Sequence, residues 1–483
     1  MIDLKRESGI PLYAQIRDQF RSLILTNHLK PNFKLPSTRK LAKNIYVNRN
    51  TILNAYAELE AEGLIYSQSG IGIFVSENDR LNRLITPNPK IFNKTEYSQP
   101  KKFSWPFAQD GIINFPARPH HISFVPSYPS EELLLSRFMK KCFYAVMKDF
   151  GNNIFHACDL EGYWPLREFL AKRLAATGIQ TFPQNICVIN GARQAFSLIT
   201  NILIQKGDCV AVEAPTSPGL LAIFLNRKIE IVEIPVEMDG MNIDIFEEYL
   251  KKKRFKVVFV MPNFHNPTGA TMSLIKRKKM IDLAEEYKVR IIEDDVFGDF
   301  RFEGVELPSL KSLDRTGQIV YVKSFSPFFP GFRIGWMIVD DFLKDQIVSI
   351  RRIENSGTNI LSQALLYKFY SRGYYKSYLR KARKDFKAKR DFMQNNLHKH
   401  FPKCCHFLIP EGGPFLWVKF PQGIDLMKIY EKSLIAGIIF DPGWLFYNSP
   451  KEEYEIRLCY LSNSYKNIEE GIRILGKIIS GTL

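Results

Sequence analysis

A chain of 483 residues exceeds one ordinary core and predicts at least two domains. Its 67 Lys and Arg against 50 Asp and Glu leave a net charge of +17, which points loosely to a polyanion partner; residues 1–77 hold 10 basic and 7 acidic side chains, so +3 belongs to the N-terminal segment and +14 to the rest. No apolar stretch approaches membrane-spanning length and no basic-then-apolar leader opens the chain, so a cytoplasmic protein is expected, and seven Cys at unpatterned spacings argue against a disulfide framework or a zinc site.

In chain order, Leu12, Ile16 and Phe20 recur every fourth residue and predict a supporting helix. Pro36 and Ser37 suit the first turn of a helix carrying Leu41 and Ile45. Asn48 suits the cap of a second, with Ile52, Ala55, Tyr56 and Leu59 inward and Gly63 closing it. Tyr46, Val47 and Asn48 leave room only for a turn, so the two helices cross sharply, as in a helix-turn-helix. Ile65 and the alternating Ile71 and Ile73 flank Ser69-Gly70, which suits a tight hairpin, or wing.

The ordered motifs PLYAQIRDQF, LPSTRKLA, NRNTILNAY and EGLIYSQSGIGIFV resemble the GntR-type winged helix over nearly all of residues 8–77. That resemblance implies a DNA-contacting set of Ser37, Arg39, Arg49, Thr51 and Gly70. Arg39 would meet backbone phosphate, Arg49 and Thr51 would face the major groove, and Gly70 would let the wing approach double-stranded operator DNA.

Residues 78–107 turn polar and Pro-containing without sustained periodicity, which reads as a linker between a domain at 1–77 and another at 108–483. Beyond it, CVIN (187–190), CVAVEAP (209–215), VVFVMP (257–262), VRIIEDD (289–295) and IVYVKSF (319–325) alternate with helical patterns. Near-continuous Val/Ile runs of this kind predict an α/β domain with a parallel sheet covered on both faces. Polar clusters follow the runs at Asn190-Gly191, Pro215 to Gly219, Asn263 to Gly269, Asp294-Asp295 and Ser324 to Ser326. Since ligands collect at the carboxyl ends of such strands, the five clusters point to one crevice. The turn Asn190-Gly191-Ala192-Arg193 into a helix offers backbone N–H groups to an anion, a phosphate above all. The basic run at 376–390 reads most simply as one solvated face of a long helix, with a path along DNA backbone as the alternative.

HNPTG at 265–269, IIEDD at 291–295, SFSPFFPGFRIGW at 324–336 and EIRL at 455–458 look like a fold-type I aminotransferase dependent on pyridoxal 5'-phosphate, over roughly 110–480, ending in a small C-terminal α+β subdomain. Carried over residue by residue, the resemblance puts Asp294 on the pyridine nitrogen and Asn266 on the ring 3-oxygen. Ala192, Arg193, Ser324 and Arg333 fall around the phosphate, and Arg457 would clamp a ligand carboxylate in a bidentate fork. The structural alternatives are a strand-end carboxylate capping nearby N–H groups for Asp294, and an internal ion pair for Arg333 and Arg457.

The chain departs from that family at the reactive position. The Schiff-base lysine should follow Ser324-Phe325-Ser326, yet Pro327 stands there, so no catalytic residue is assigned at Ser326/Pro327. Lys323 is the nearest lysine, and it reads as a surface or strand-end residue. The ring-stacking aromatic is replaced by Ser217, a tyrosine that shares the 3-oxygen is missing at Val296 and Phe297, and one that reaches the partner subunit's phosphate is replaced by Ala157. The composite resembles the MocR subgroup of GntR regulators, which implies a homodimer binding pyridoxal phosphate and an amine or amino-acid effector. Here the aminotransferase-like domain is expected to sense or to scaffold, with the cofactor held non-covalently or not at all. A working aminotransferase with an appended DNA reader is the alternative.

Overall fold

The computed structural model describes residues 4, 11–25, 28–76, 121–130, 133, 136–156, 158–205, 207–252, 255–448 and 454–482. The chain divides into two compact units, Met1–Lys102 and Phe103–Leu483. The expected linker at 78–107 lies outside the described residues.

In the first unit, helix α1 (Leu12–Leu25) buries Ile16 and Phe20, and Phe20 meets Tyr56 edge-on at 5.6 Å. Strand β1 (Lys34–Leu35) precedes α2 (Thr38–Asn44), whose cap is Ser37, its Oγ accepting from the Lys40 N–H. Helix α3 (Arg49–Ala61) is capped by Asn48, whose Oδ1 accepts from the Asn50 N–H at 2.9 Å, and it buries the four expected residues Ile52, Ala55, Tyr56 and Leu59. Gly63 follows at φ +73°, the left-handed turn that lets the chain leave the helix. Strands β2 (Ile65–Gln68) and β3 (Gly72–Val75) complete an antiparallel sheet in the order β1-β3-β2. Ile71 does not join the alternation: the strand resumes only at Gly72, which leaves Ile71 exposed at the wing tip with its N–H on the Gln68 carbonyl. Removing the α3 cap with Asn48→Ala is expected to lower the stability of this unit by about 1 kcal/mol. Asn48→Asp should leave it within a few tenths of that, both read from urea unfolding.

The second unit is built on an eight-stranded sheet. Its strands are β4 (Ile186–Ile189), β5 (Cys209–Ala214), β6 (Glu230–Glu237), β7 (Gly240–Met241), β8 (Val257–Val260), β9 (Arg290–Asp294), β10 (Ile319–Ser324) and β11 (Gly335–Ile338), in the order β4-β11-β10-β9-β8-β5-β6-β7. Pairings from β10 through β6 are parallel, while β11 and β7 run antiparallel to their neighbours. Every residue of β4, β8 and β10 is buried, as expected of strands covered on both faces. Helices α4 (Ala192–Leu203) and α5 (Pro218–Arg227) cover one face through Ile199, Leu221 and Phe224 packed on Val212, Phe259 and Val322. Helix α6 (Leu274–Tyr287) packs Met280 and Ala284 against Val258 and Ile291 on the other.

The long helix α7 (Tyr374–His400) carries the basic run, and only part of that run is solvated. Lys376, Arg380, Lys381 and Lys384 are exposed. Lys389 and Arg390, in contrast, are buried: Lys389 donates to the Leu461 carbonyl at 3.0 Å, and Arg390 donates to the Pro410 carbonyl and pairs with Glu303, both at 2.5 Å. A small four-stranded sheet then forms from β12 (His406–Phe407), β13 (Phe415–Lys419), β14 (Asp441–Pro442) and β15 (Glu455–Cys459), in the order β12-β13-β15-β14. Among the described residues all seven cysteines are free thiols, three of them buried.

Candidate functional site

Five loops leave the carboxyl ends of the sheet, and side-chain alternation sorts their polar groups onto two faces. Asp294, the last residue of β9, shares a small cavity with Glu213, Thr216, Ser217, Asn266 and the rings of Phe196 and Phe259. Its Oδ1 accepts from the Val296 N–H at 3.0 Å, so it does cap its own loop. Burial pushes this carboxyl up to about 7, with Asp295 and Glu213 adding to the shift and the Val296 N–H and Lys323 opposing it. Nothing in the cavity lining supplies a cation to Asp294, and such a carboxylate is complementary to a protonated ring nitrogen.

A second group lies at the start of α4. Gly191 is the cap residue, at φ +82°, and no side chain caps the helix; the Gln194 N–H turns back to the Gly191 carbonyl, which leaves those of Ala192 and Arg193 at the positive end of the helix dipole. A Cβ on Gly191 would stand 3.2 Å from the Arg333 Nη2 and 3.4 Å from the Ser326 Oγ, which places all three around one point. Arg193 reaches the same loop cluster, packing against Gly219. Desolvation, and secondly the Arg333 charge, hold its pKa below the usual arginine value. The Ser324 hydroxyl is used internally, donating to the Ile334 carbonyl and accepting from the Ser326 N–H. Ser326 has a buried hydroxyl with no partner among the described residues. It stands next to the buried Pro327, and sequence reasoning gives it no binding role.

Asn266 joins the two ends of the crevice. Its Oδ1 accepts from Arg457 at 2.7 Å, and the residue also lines the Asp294 cavity. Arg457, on β15, lies against the rings of Phe415 and Phe446, its guanidinium carbon 4.3 and 4.9 Å from their centroids. Its Nε and Nη2 both donate to Asp441 Oδ2, at 3.1 and 2.6 Å. Asp441 is its register partner on β14. The fork expected to meet a ligand carboxylate therefore already holds one from the chain.

Lys323 stands on the opposite face of the sheet. It is buried, not a surface residue: its Nζ pairs with Asp295 Oδ2 at 2.7 Å and lies 3.6 Å from Asp299 Oδ2. Tyr321 donates to the same Asp295 oxygen at 2.6 Å, and Asn263 donates to the other at 2.7 Å. The two carboxylates hold the Lys323 ammonium above its ordinary pKa against the cost of burial, so it is no free amine at neutral pH. Asp295 and Asn263, grouped with the crevice by sequence, thus belong to this second network.

The segment between Ser324 and Arg333 folds inward instead of presenting a reactive side chain. Phe325, Phe328 and Phe329 are all buried, stacking among Phe300, Phe369, Tyr375 and Tyr378, and Pro327 is buried with them. Ala157 lies outside the described residues. In the first unit Ser37, Arg39 and Arg49 are exposed, Thr51 is half-buried, and Arg49 Nε reaches Thr38 Oγ1 at 3.5 Å. Gly70 sits at φ +75° with open space where a Cβ would be. Asn50 and Asn54 share the exposed side of α3 with Arg49 and were not singled out from sequence.

Residues 145–475 match the family model "Aminotransferase class I and II", and residues 12–75 match "Bacterial regulatory proteins, gntR family". The HTH-type transcriptional regulator YdfD of Bacillus subtilis, described as uncharacterized, is 29% identical over 98% of both chains. The HTH-type transcriptional regulator NorG of Staphylococcus aureus is 29% identical over 91% of this chain and 98% of its own. Among solved structures, kynurenine aminotransferase of Pyrococcus horikoshii superposes with a TM-score of 0.72 at 32% identity, covering 75% of this chain and 91% of its own.

Proposed function

The chain belongs to the aminotransferase class I and II family and carries a gntR-family helix-turn-helix domain ahead of it, and we propose that it is a DNA-binding transcriptional regulator of MocR type whose aminotransferase-like unit dimerises and senses a ligand. The observation that carries this reading is the fate of the reactive position: Pro327 is buried in an aromatic core, and Lys323 is tied to Asp295 on the far face of the sheet. Without an amine in the crevice, transamination loses both its covalent anchor and its proton carrier.

Pyridoxal phosphate fits the groups that remain. Asp294 would face its ring nitrogen and Asn266 its 3-oxygen, while the first turn of α4 at Ala192 and Arg193, with Ser324, Ser326 and Arg333, would surround its phosphate. When bound it supplies an aldehyde that condenses with amines, which would let the crevice retain an amine effector. Occupancy would then shift the placement of two winged helices that must match DNA half-sites. A cytoplasmic location accords with this role; no described helix is long and apolar enough to cross a membrane.

Borohydride reduction in the presence of pyridoxal phosphate, followed by peptide mass mapping, tests the reading. No lysine-linked adduct is expected, and one at Lys323 or elsewhere would restore the working aminotransferase, which retains Asn266, Asp294 and Arg333 in its favour. On the DNA side, Arg49→Ala should cost about 1–3 kcal/mol in operator affinity and relax base preference. Arg39→Ala should weaken all duplexes alike and lower the salt slope by about one, measured by fluorescence anisotropy across a salt series.

A further inference from the structure

The Arg457 fork contacts Asn266 at the edge of the Asp294 cavity, and its surroundings decide which ligands it admits. Of its five N–H groups, Nε–H and one on Nη2 go to Asp441, and one on Nη1 goes to Asn266. The ring centroids of Phe415 and Phe446 lie 4.3 and 4.9 Å from the guanidinium carbon, and a further partner has only the two remaining N–H groups, one on Nη1 and one on Nη2. The pair is well sheltered, with side-chain exposures of 11% for Arg457 and 13% for Asp441. It is also fixed by backbone, since the two residues face each other in register on adjacent antiparallel strands.

We propose that Asp441 is a built-in occupant of the carboxylate site, so that the crevice takes amines bearing no carboxylate beside the amino group and turns away α-amino acids. The inference rests on the preceding reading that the crevice binds pyridoxal phosphate and an amine. Its physical basis is a charge count. Arg457 and Asp441 cancel, Asp294 is matched by the ring nitrogen, and Glu213 also lines the adjoining cavity. An incoming α-carboxylate would bring a further negative charge to a fork already neutralised, or would have to expel Asp441 into a buried setting with no counter-charge. An amine without that carboxylate meets neither obstacle, and its positive charge is favoured by the same carboxylates.

The test uses the full-length protein and two stable reduced adducts, N-phosphopyridoxyl-tyramine and N-phosphopyridoxyl-L-tyrosine, which differ by one carboxylate, titrated by calorimetry. A second pair made from cadaverine and L-lysine keeps side-chain fit from deciding the result. The wild-type protein is expected to bind each amine adduct about tenfold or more tighter than its amino-acid partner. Asp441→Asn should erase or invert that gap by tightening the amino-acid adducts, with a lowered thermal midpoint in the free protein because Arg457 loses its counter-charge, and with part of that loss restored when an amino-acid adduct is bound. A wild-type preference for the amino-acid adducts overturns the proposal, and this comparison needs no variant to fold. A ratio unmoved by Asp441→Asn overturns it as well. If neither the adducts nor pyridoxal phosphate bind, the crevice reading itself falls and the proposal with it, whereas a wild-type preference for the amino-acid adducts with binding intact sinks the proposal alone.

Discussion

Replacing Asp294 by asparagine is expected to stabilise the aminotransferase-like unit by about 2–4 kcal/mol at pH 8 while abolishing tight binding of pyridoxal phosphate. The sign follows from linkage. Burial lifts the folded-state pKa of this carboxyl to about 7, well above its unfolded value, so the folded chain holds a proton that the unfolded chain has released between roughly pH 4 and 7. Stability due to this group is full below the unfolded value and is lost as pH rises through 7, where a buried charge must be sustained. Asparagine keeps an oxygen for the Val296 N–H and carries no charge. Urea unfolding at pH 5 and pH 8 checks the claim: wild type should lose stability relative to Asp294→Asn across that interval. Parallel curves would mean that Asp294 is already neutralised by something other than a ligand. A group that weakens the fold yet has no structural partner for its charge is what a binding site requires, and stability is commonly sacrificed at such positions.

Phe328→Ala should cost about 3–5 kcal/mol. Its ring is fully enclosed, 4.4 Å from the Phe300 centroid and 5.7–5.8 Å from those of Tyr378 and Tyr375. The loss should reach beyond stability, because the same turn carries Ser326 and Arg333 to Gly191. Loosening it should weaken phosphate binding at the start of α4 even under conditions where the variant remains folded. Tryptophan fluorescence during urea unfolding, together with titration of inorganic phosphate, reads both effects. A change below about 1 kcal/mol would show that the aromatic cluster does not anchor the segment.

The winged helix was legible in the sequence because its signals are local: caps at Ser37 and Asn48, helical spacing from Ile52 to Leu59, and a glycine at the end. The sheet was legible as a set of apolar runs, although β6, with its alternating EIVEIPVE, and the antiparallel β11 were passed over. The crevice was only half legible. Asp294 and Asp295 look like one cluster in the sequence, yet period-two alternation sends neighbours on a strand to opposite faces, a rule that needs no structure. The Asp441–Arg457 pair was not available, because it arises from the register of two strands separated by a loop, and no local pattern announces a contact made across a sheet. Ser326 was hidden for a similar reason: its neighbours Gly191 and Arg333 reach it from other strand ends.

Lys323 and Ser324 are consecutive residues whose side chains emerge on opposite sides of β10, and this sets how the molecule can change over generations. Bringing the lysine into the crevice would require the strand to slip by one position, which would turn Tyr321 and Val322 into each other's layers and uncouple Lys323 from Asp295 in the same step. Lys323 itself therefore cannot reach the crevice by a change of rotamer. An amine on the crevice side would have to come from the turn after the strand, leaving β10 itself untouched.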